Sequence, residues 1–190
     1  MIAITNEQIE RVSLILGSVP NGAEKALSSV VRRANTTVRT EAVKGITNTY
    51  AISAQNVRAE TTINMRTRKV DGGIVGTVSF AGYKLPLYRF NVTPTVPVQR
   101  ATVKAAVLKE NTRTPFEHAF IAKMKSGHTG MFERDTTART PITEFMGPST
   151  AQMAGNSVVL EQVEQAAQET VSKRIEQEIN RILNGYGVKK

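Results

Sequence analysis

Two histidines, His118 and His128, stand within a few residues of Glu117, Glu133 and Asp135. Imidazole beside carboxylate is the donor set of zinc and of several other divalent-metal sites. Their spacing matches no ligand signature, and turn or strand histidines next to carboxylates are common on ordinary protein surfaces. Gly72-Gly73 with Gly76 invites comparison with a phosphate-binding loop. Without a following Lys-Ser/Thr and a helix start, the glycines cannot bring backbone amides, a lysine and a hydroxyl to one phosphate, so a hairpin is the better reading. Serines and threonines are plentiful, but there is no G-x-S-x-G elbow and neither histidine has a triad context. The carboxylates lie singly among cations or on polar helix faces, not as the shielded and solvated pair that acid–base catalysis needs. The chain has no cysteine, which removes disulfides, zinc-thiolate sites and thiol catalysis together. The sequence thus predicts no catalytic residue, no metal ligand and no cofactor, and a protein that is not an enzyme.

Charge is the stronger chemical signal. The net +9 is concentrated in residues 58–139, which hold fourteen Lys/Arg against six Asp/Glu, whereas 1–57 and 140–190 are close to neutral. A field acts locally, so this middle segment is the part of the chain suited to an acidic polymer. Arg66, Arg68, Lys69, Lys84, Arg89, Arg100, Lys104, Lys109, Arg113, Lys123 and Lys125 could line a surface that meets it. The plain alternative is a solvated sheet face, since no helical recognition motif or RNP-type aromatic signature accompanies these cations.

The elements that would carry these residues follow from periodicity. Thr5-Asn6-Glu7-Gln8 has capping-box spacing, and Ile9, Val12 and Leu16 continue a short helix that Gly17 and Pro20 close. From Asn21-Gly22, an apolar stripe through Leu27, Val30, Val31, Ala34, Val38, Ala42, Ile46 and Tyr50 predicts a helix of nearly thirty residues. Ser53 can cap a further short helix to about Ala59. Alternation then predicts a strand at 62–68, a turn at Asp71-Gly72-Gly73 and a return strand at 74–80. Further strands are expected at 85–90, at an edge because of Pro86, at 101–108, and in a hairpin 118–134 that turns at Lys125-Ser126-Gly127-His128. Arg139-Thr140-Pro141-Ile142 and Gly147-Pro148-Ser149 read as turns. A last helix runs from Asn156-Ser157 with a stripe through Val159, Leu160, Val163, Ala167, Val171, Ile175, Ile179, Ile182 and Leu183, until Gly185 and Gly187 and a basic tail, Lys189-Lys190. Met124 and Met131 read as gap fillers in the core or at an interface.

The expected fold is α+β: one antiparallel sheet of five or six strands flanked by two long helices, in a single domain over 1–190. Within it, 1–57 is helical, 58–139 mainly β, and 140–190 a turn segment and helix. The N-terminal residues have neither a basic n-region nor a sustained apolar run, and no stretch approaches the ~20 apolar residues of a membrane span, so a soluble, unexported chain is expected.

Several of these segments in order resemble the minor tail protein Z family of long-tailed phages, the tail-completion proteins. They are Ala34-Asn35-Thr36-Thr37-Val38-Arg39-Thr40-Glu41-Ala42, Leu85-Pro86-Leu87-Tyr88-Arg89-Phe90, the hairpin Ala119-Phe120-Ile121 to Phe132-Glu133-Arg134, Arg139-Thr140-Pro141-Ile142, Gly147-Pro148-Ser149, and Glu178-Ile179-Asn180-Arg181-Ile182-Leu183. The resemblance implies a virion protein of the tail or neck, made in the host cytoplasm. It implies a part in completing the head-proximal end of the tail and joining it to the head, as a hexameric ring around the DNA channel. Its partners would be copies of itself, the tail terminator, tube or head-closure protein, and packaged DNA, with no membrane. In such a ring, Arg66, Arg68 and Lys69 would line the channel, and the stripe residues Leu27, Val31, Val38, Ile46, Val163, Val171, Ile175 and Ile179 would meet sister copies. The family supplies no catalytic residue. The competing reading is a sequence-independent nucleic-acid-binding protein that uses the basic β region.

Overall fold

A computed structural model describes residues 4–70 and 73–185, and the side chains of Lys69, Val70 and Gly73 lie outside the described set. So do Asp71 and Gly72 of the expected first hairpin turn, and Gly187 and the tail Lys189-Lys190. The fold is α+β, with the two long helices in the expected places. Its residues group into two compact units: 1–42 with 63–79 and 160–190, and 43–62 with 80–159.

The first unit is built on helices. α1 (Asn6–Leu16) starts at a full capping box, in which the Thr5 hydroxyl accepts from the Gln8 amide and the Gln8 side chain accepts from the Thr5 amide. α2 (Gly22–Thr49) belongs to this unit up to Ala42, and α5 (Ser157–Leu183) belongs to it from Leu160. Val12 and Leu16 from α1, Ala26, Leu27, Val30 and Ala34 from α2, and Val171, Ile175, Ile179 and Ile182 from α5 form one buried cluster. Burying side chains of this size stabilises by ~1.5–3 kcal/mol each relative to leaving them wet, which is why the stripes find each other. A polar pin joins the same helices: Glu178, buried to 9 % exposure, accepts from the Ser29 hydroxyl at 2.8 Å and pairs with Arg181 at 2.7 Å. β1 (Thr62–Val70) and β2 (Gly73–Ala81) make a two-stranded sheet.

The second unit is mainly β. α3 (Ala54–Ala59) is capped by Ser53, as its sequence predicts. β3 (Lys84–Pro86) pairs with β10 (Met146–Ser149), β4 (Asn91–Thr93) with β5 (Val103–Ala106) and β5 with β6 (Thr114–Phe116). β7 (Phe120–Lys123) pairs with β8 (Thr129–Arg134) and β8 with β9 (Ile142–Glu144), and every one of these pairs is antiparallel. The end of α2 is tied in by Ala51 donating to the Val107 carbonyl at 2.8 Å and Lys109 to that of Thr49 at 3.0 Å. Ile46, Val57, Val103, Met131, Met153 and Val159 are among the fully buried side chains here.

Three expectations need correction. The strands do not form one sheet of five or six; among the described residues ten strands divide over four small sheets. Proline limits two of them: Pro86, Pro115 and Pro148 lie in β3, β6 and β10, each at the edge of its sheet, and a residue without an N–H cannot donate to a further neighbour there. The expected strand at 85–90 breaks after Pro86 into a 3-10 turn, Leu87–Arg89, closed by Phe90 donating to the Leu87 carbonyl. Finally, of the two expected turns, 139–142 leads into β9 at Ile142 and 147–149 lies within β10, which is followed by α4 (Thr150–Ala154). Gly147 is required there, because a Cβ would stand 2.7 Å from the Phe90 ring.

Candidate functional site

The β1–β2 hairpin carries the residues singled out by charge. Strand alternation places Asn64, Arg66 and Arg68 of β1 on one face, and they line an open trough of about 440 Å3 together with Val75, Thr77 and Ser79 of β2. Arg66 and Arg68 are exposed, and neither guanidinium has an ion pair or hydrogen bond among the described residues. The structure thus brings Arg66 and Arg68 together; the side chain of Lys69 lies outside the described residues.

The hairpin is seated by an unusual pair in its own unit. Asn35 of α2 is only 5 % exposed, and its amide donates to the Arg66 carbonyl at 3.1 Å and to the Thr67 hydroxyl at 3.5 Å. Gly76 of β2 lies directly on that amide: a Cβ there would be 2.5 Å from Asn35 Oδ1 and 2.6 Å from Val31 Cγ1. A buried amide without such partners would cost ~1–3 kcal/mol, so the contact fixes the register of β1 on the helix. Arg66 is thus held to α2 through its backbone and not through its side chain.

The eight stripe residues expected at a subunit boundary lie in the chain's own core. Leu27, Val31, Val38, Ile46, Val163, Val171, Ile175 and Ile179 are all between 0 and 8 % exposed. Leu27, Val171, Ile175 and Ile179 share the α1–α2–α5 cluster, so within the single chain these four are covered by its own helices.

The histidines are not drawn into a cluster. Among the described residues no three His, Asp or Glu side chains come together as metal ligands would. His128 instead meets Glu144 of β9, Nε2 to Oε1 at 2.7 Å, with its ring edge-on to Phe132. His118, Glu117 and Asp135 are exposed. The His128–Glu144 contact clips the β7–β8 turn to β9, a structural use of both groups.

A second cationic surface has no counterpart among the sequence expectations. Arg33 and Thr37 of α2 with Thr170, Lys173, Arg174 and Gln177 of α5 line a groove of about 210 Å3. The Thr37 and Thr170 hydroxyl oxygens stand 3.3 Å apart within it. Its signal in the sequence is the i, i+3, i+4 and i+7 spacing along 170–177, which the near-zero charge of 140–190 as a whole masks.

Helices packed on one another and small antiparallel sheets carry two open surfaces lined by cations, the hairpin trough and the α2–α5 groove. The chain belongs to the prophage minor tail protein Z (GPZ) family, which matches residues 7–188. It is therefore a phage tail protein with a structural role, a place in the virion and other tail proteins as its partners. Comparison with curated proteins and with solved structures finds no match. Among the described residues, no helix is long and apolar enough to cross a membrane.

Proposed function

We propose that this chain completes the head-proximal end of the tail and helps join it to the head, as a ring of copies, six in number, around the DNA channel. The observation that carries the DNA side of this reading is the pair Arg66 and Arg68, exposed on the hairpin trough without a side-chain partner among the described residues. A polyanion passing the trough would be held by phosphate contacts alone, independent of sequence and weakened by salt. Because the two stripes are consumed in the core, the ring would be sealed by surfaces that remain exposed, and its outer partners would be the terminator, tube or head-closure protein.

The test is a phage lacking this protein. Filled heads and finished tails should accumulate separately, and purified wild-type protein should restore joined particles in a mixed extract. Joining without the protein, or a label on it at the far tip of the tail, would refute the proposal. The same trough also suits a free nucleic-acid-binding module, and a gel shift with a mass measurement separates the two. A chain that never assembles yet shifts duplex DNA tightly at moderate salt supports the module.

A further inference from the structure

We infer that copies of this chain dock head to tail, with the outer face of α1 of one copy in the cationic α2–α5 groove of the next. This rests on the ring reading and deepens it by naming the contact. On α1, Glu7, Glu10 and Leu14 fall on one stripe, facing away from Val12 and Leu16, which are buried. Leu14 is 85 % exposed, an apolar side chain left in water by its own chain. Neither Glu7 nor Glu10 has a side-chain partner among the described residues. The groove offers the complement: three cations, Arg33, Lys173 and Arg174, with Thr methyls and the aliphatic stems of the cations to receive a leucine.

Dimensions and direction both fit. Glu7 to Leu14 and Thr170 to Gln177 each cover two helical turns, about 10 Å. Arg11 binds Glu176 at 2.7 Å, and Gln8 and Arg11 lie beside Ser172, Ile175 and Glu176, so α1 sits on one flank of α5. At about 3.6 residues per turn, positions 172, 175 and 176 are opposite to 170, 173, 174 and 177. The acidic stripe and the cationic groove therefore sit on opposite sides of α5. A contact between unlike patches on opposite sides is heterologous, and it closes into a ring when the rotation per copy divides a full turn.

Zero-length carbodiimide coupling of a mixture of 15N-labelled and unlabelled chains tests this, in solution and within particles. The expected product is an amide between Glu7 or Glu10 of one copy and Lys173 of another. Charge reversal supplies the second arm. Glu7→Arg with Glu10→Arg, and separately Arg33→Glu with Arg174→Glu, should each weaken self-association by about tenfold or more. Mixing the two variants should restore it, as should all four changes in one chain. Multimers whose cross-links lie elsewhere and which ignore both reversals would overturn this contact while leaving the ring intact. A groove reversal that abolishes duplex binding but not multimers would overturn it in favour of nucleic acid. A single copy per particle would end the ring reading and this inference together.

Discussion

One methyl group added at Gly76 should lift the β1–β2 hairpin from α2. The new Cβ would meet Asn35 Oδ1 at 2.5 Å and Val31 Cγ1 at 2.6 Å, and neither neighbour can retreat easily, since both are buried on a helix. Overpacking of this kind costs ~1–3 kcal/mol. Loosening the Asn35 bond to the Arg66 carbonyl adds ~1 kcal/mol. The smaller freedom of alanine in the unfolded chain returns ~0.4–1 kcal/mol. Gly76→Ala should therefore destabilise by roughly 2 kcal/mol in urea unfolding followed by far-UV circular dichroism, the chain having no tryptophan. The decisive measurement is the cycle with Asn35→Ala. That change removes one of the two clashes and leaves Val31, so the penalty at Gly76 should shrink by ~1 kcal/mol in its background. A Gly76→Ala protein within ~0.5 kcal/mol of wild type, or two strictly additive penalties, would show that the asparagine does not seat the hairpin.

Ile175→Ala should cost ~2–5 kcal/mol in the stability of the single chain, because Ile175 is 4 % exposed within its own helical cluster. Loss of self-association without loss of chain stability would return the stripe to a subunit boundary. Ser149→Ala should cost ~1 kcal/mol by removing the acceptor for the Gln152 amide at the start of α4, and Ser149→Asp should recover most of it, both read by thermal melting. Arg66→Ala with Arg68→Ala should leave stability within ~0.5 kcal/mol, since both side chains are exposed and neither has a partner among the described residues. In duplex-binding titrations of the assembled protein, the slope of log K against log salt should become shallower by ~0.9 for each phosphate that these variants no longer neutralise, and an unchanged slope would remove these arginines from the DNA-facing surface.

Much of the framework is legible in local chemistry. The Thr5–Gln8 capping box, the Ser53 cap, both long stripes and the 120–134 hairpin are each set by residues close together in sequence, and each forms as expected. A capping box also lies at Ser149-Thr150-Ala151-Gln152, where α4 begins, hidden in the sequence by the turn residues Gly147 and Pro148 just before it. β6, β9 and β10 are not legible, because strands of three or four residues acquire their identity from a partner distant in sequence, as Met146 does from Pro86.

The sequence alone determined where the two long helices run, that basic charge gathers in the middle of the chain, and that Pro86 would hold its strand at a sheet edge. These depend on spacing, composition and backbone chemistry that a residue carries wherever it folds. Only the tertiary structure decided what the apolar stripes face, because a stripe declares that it must be covered and not by what; here α1, α2 and α5 cover one another. It also decided which cations share a surface. Arg33 lies far from Lys173 and Arg174 along the chain, and packing of two helices makes them walls of one groove.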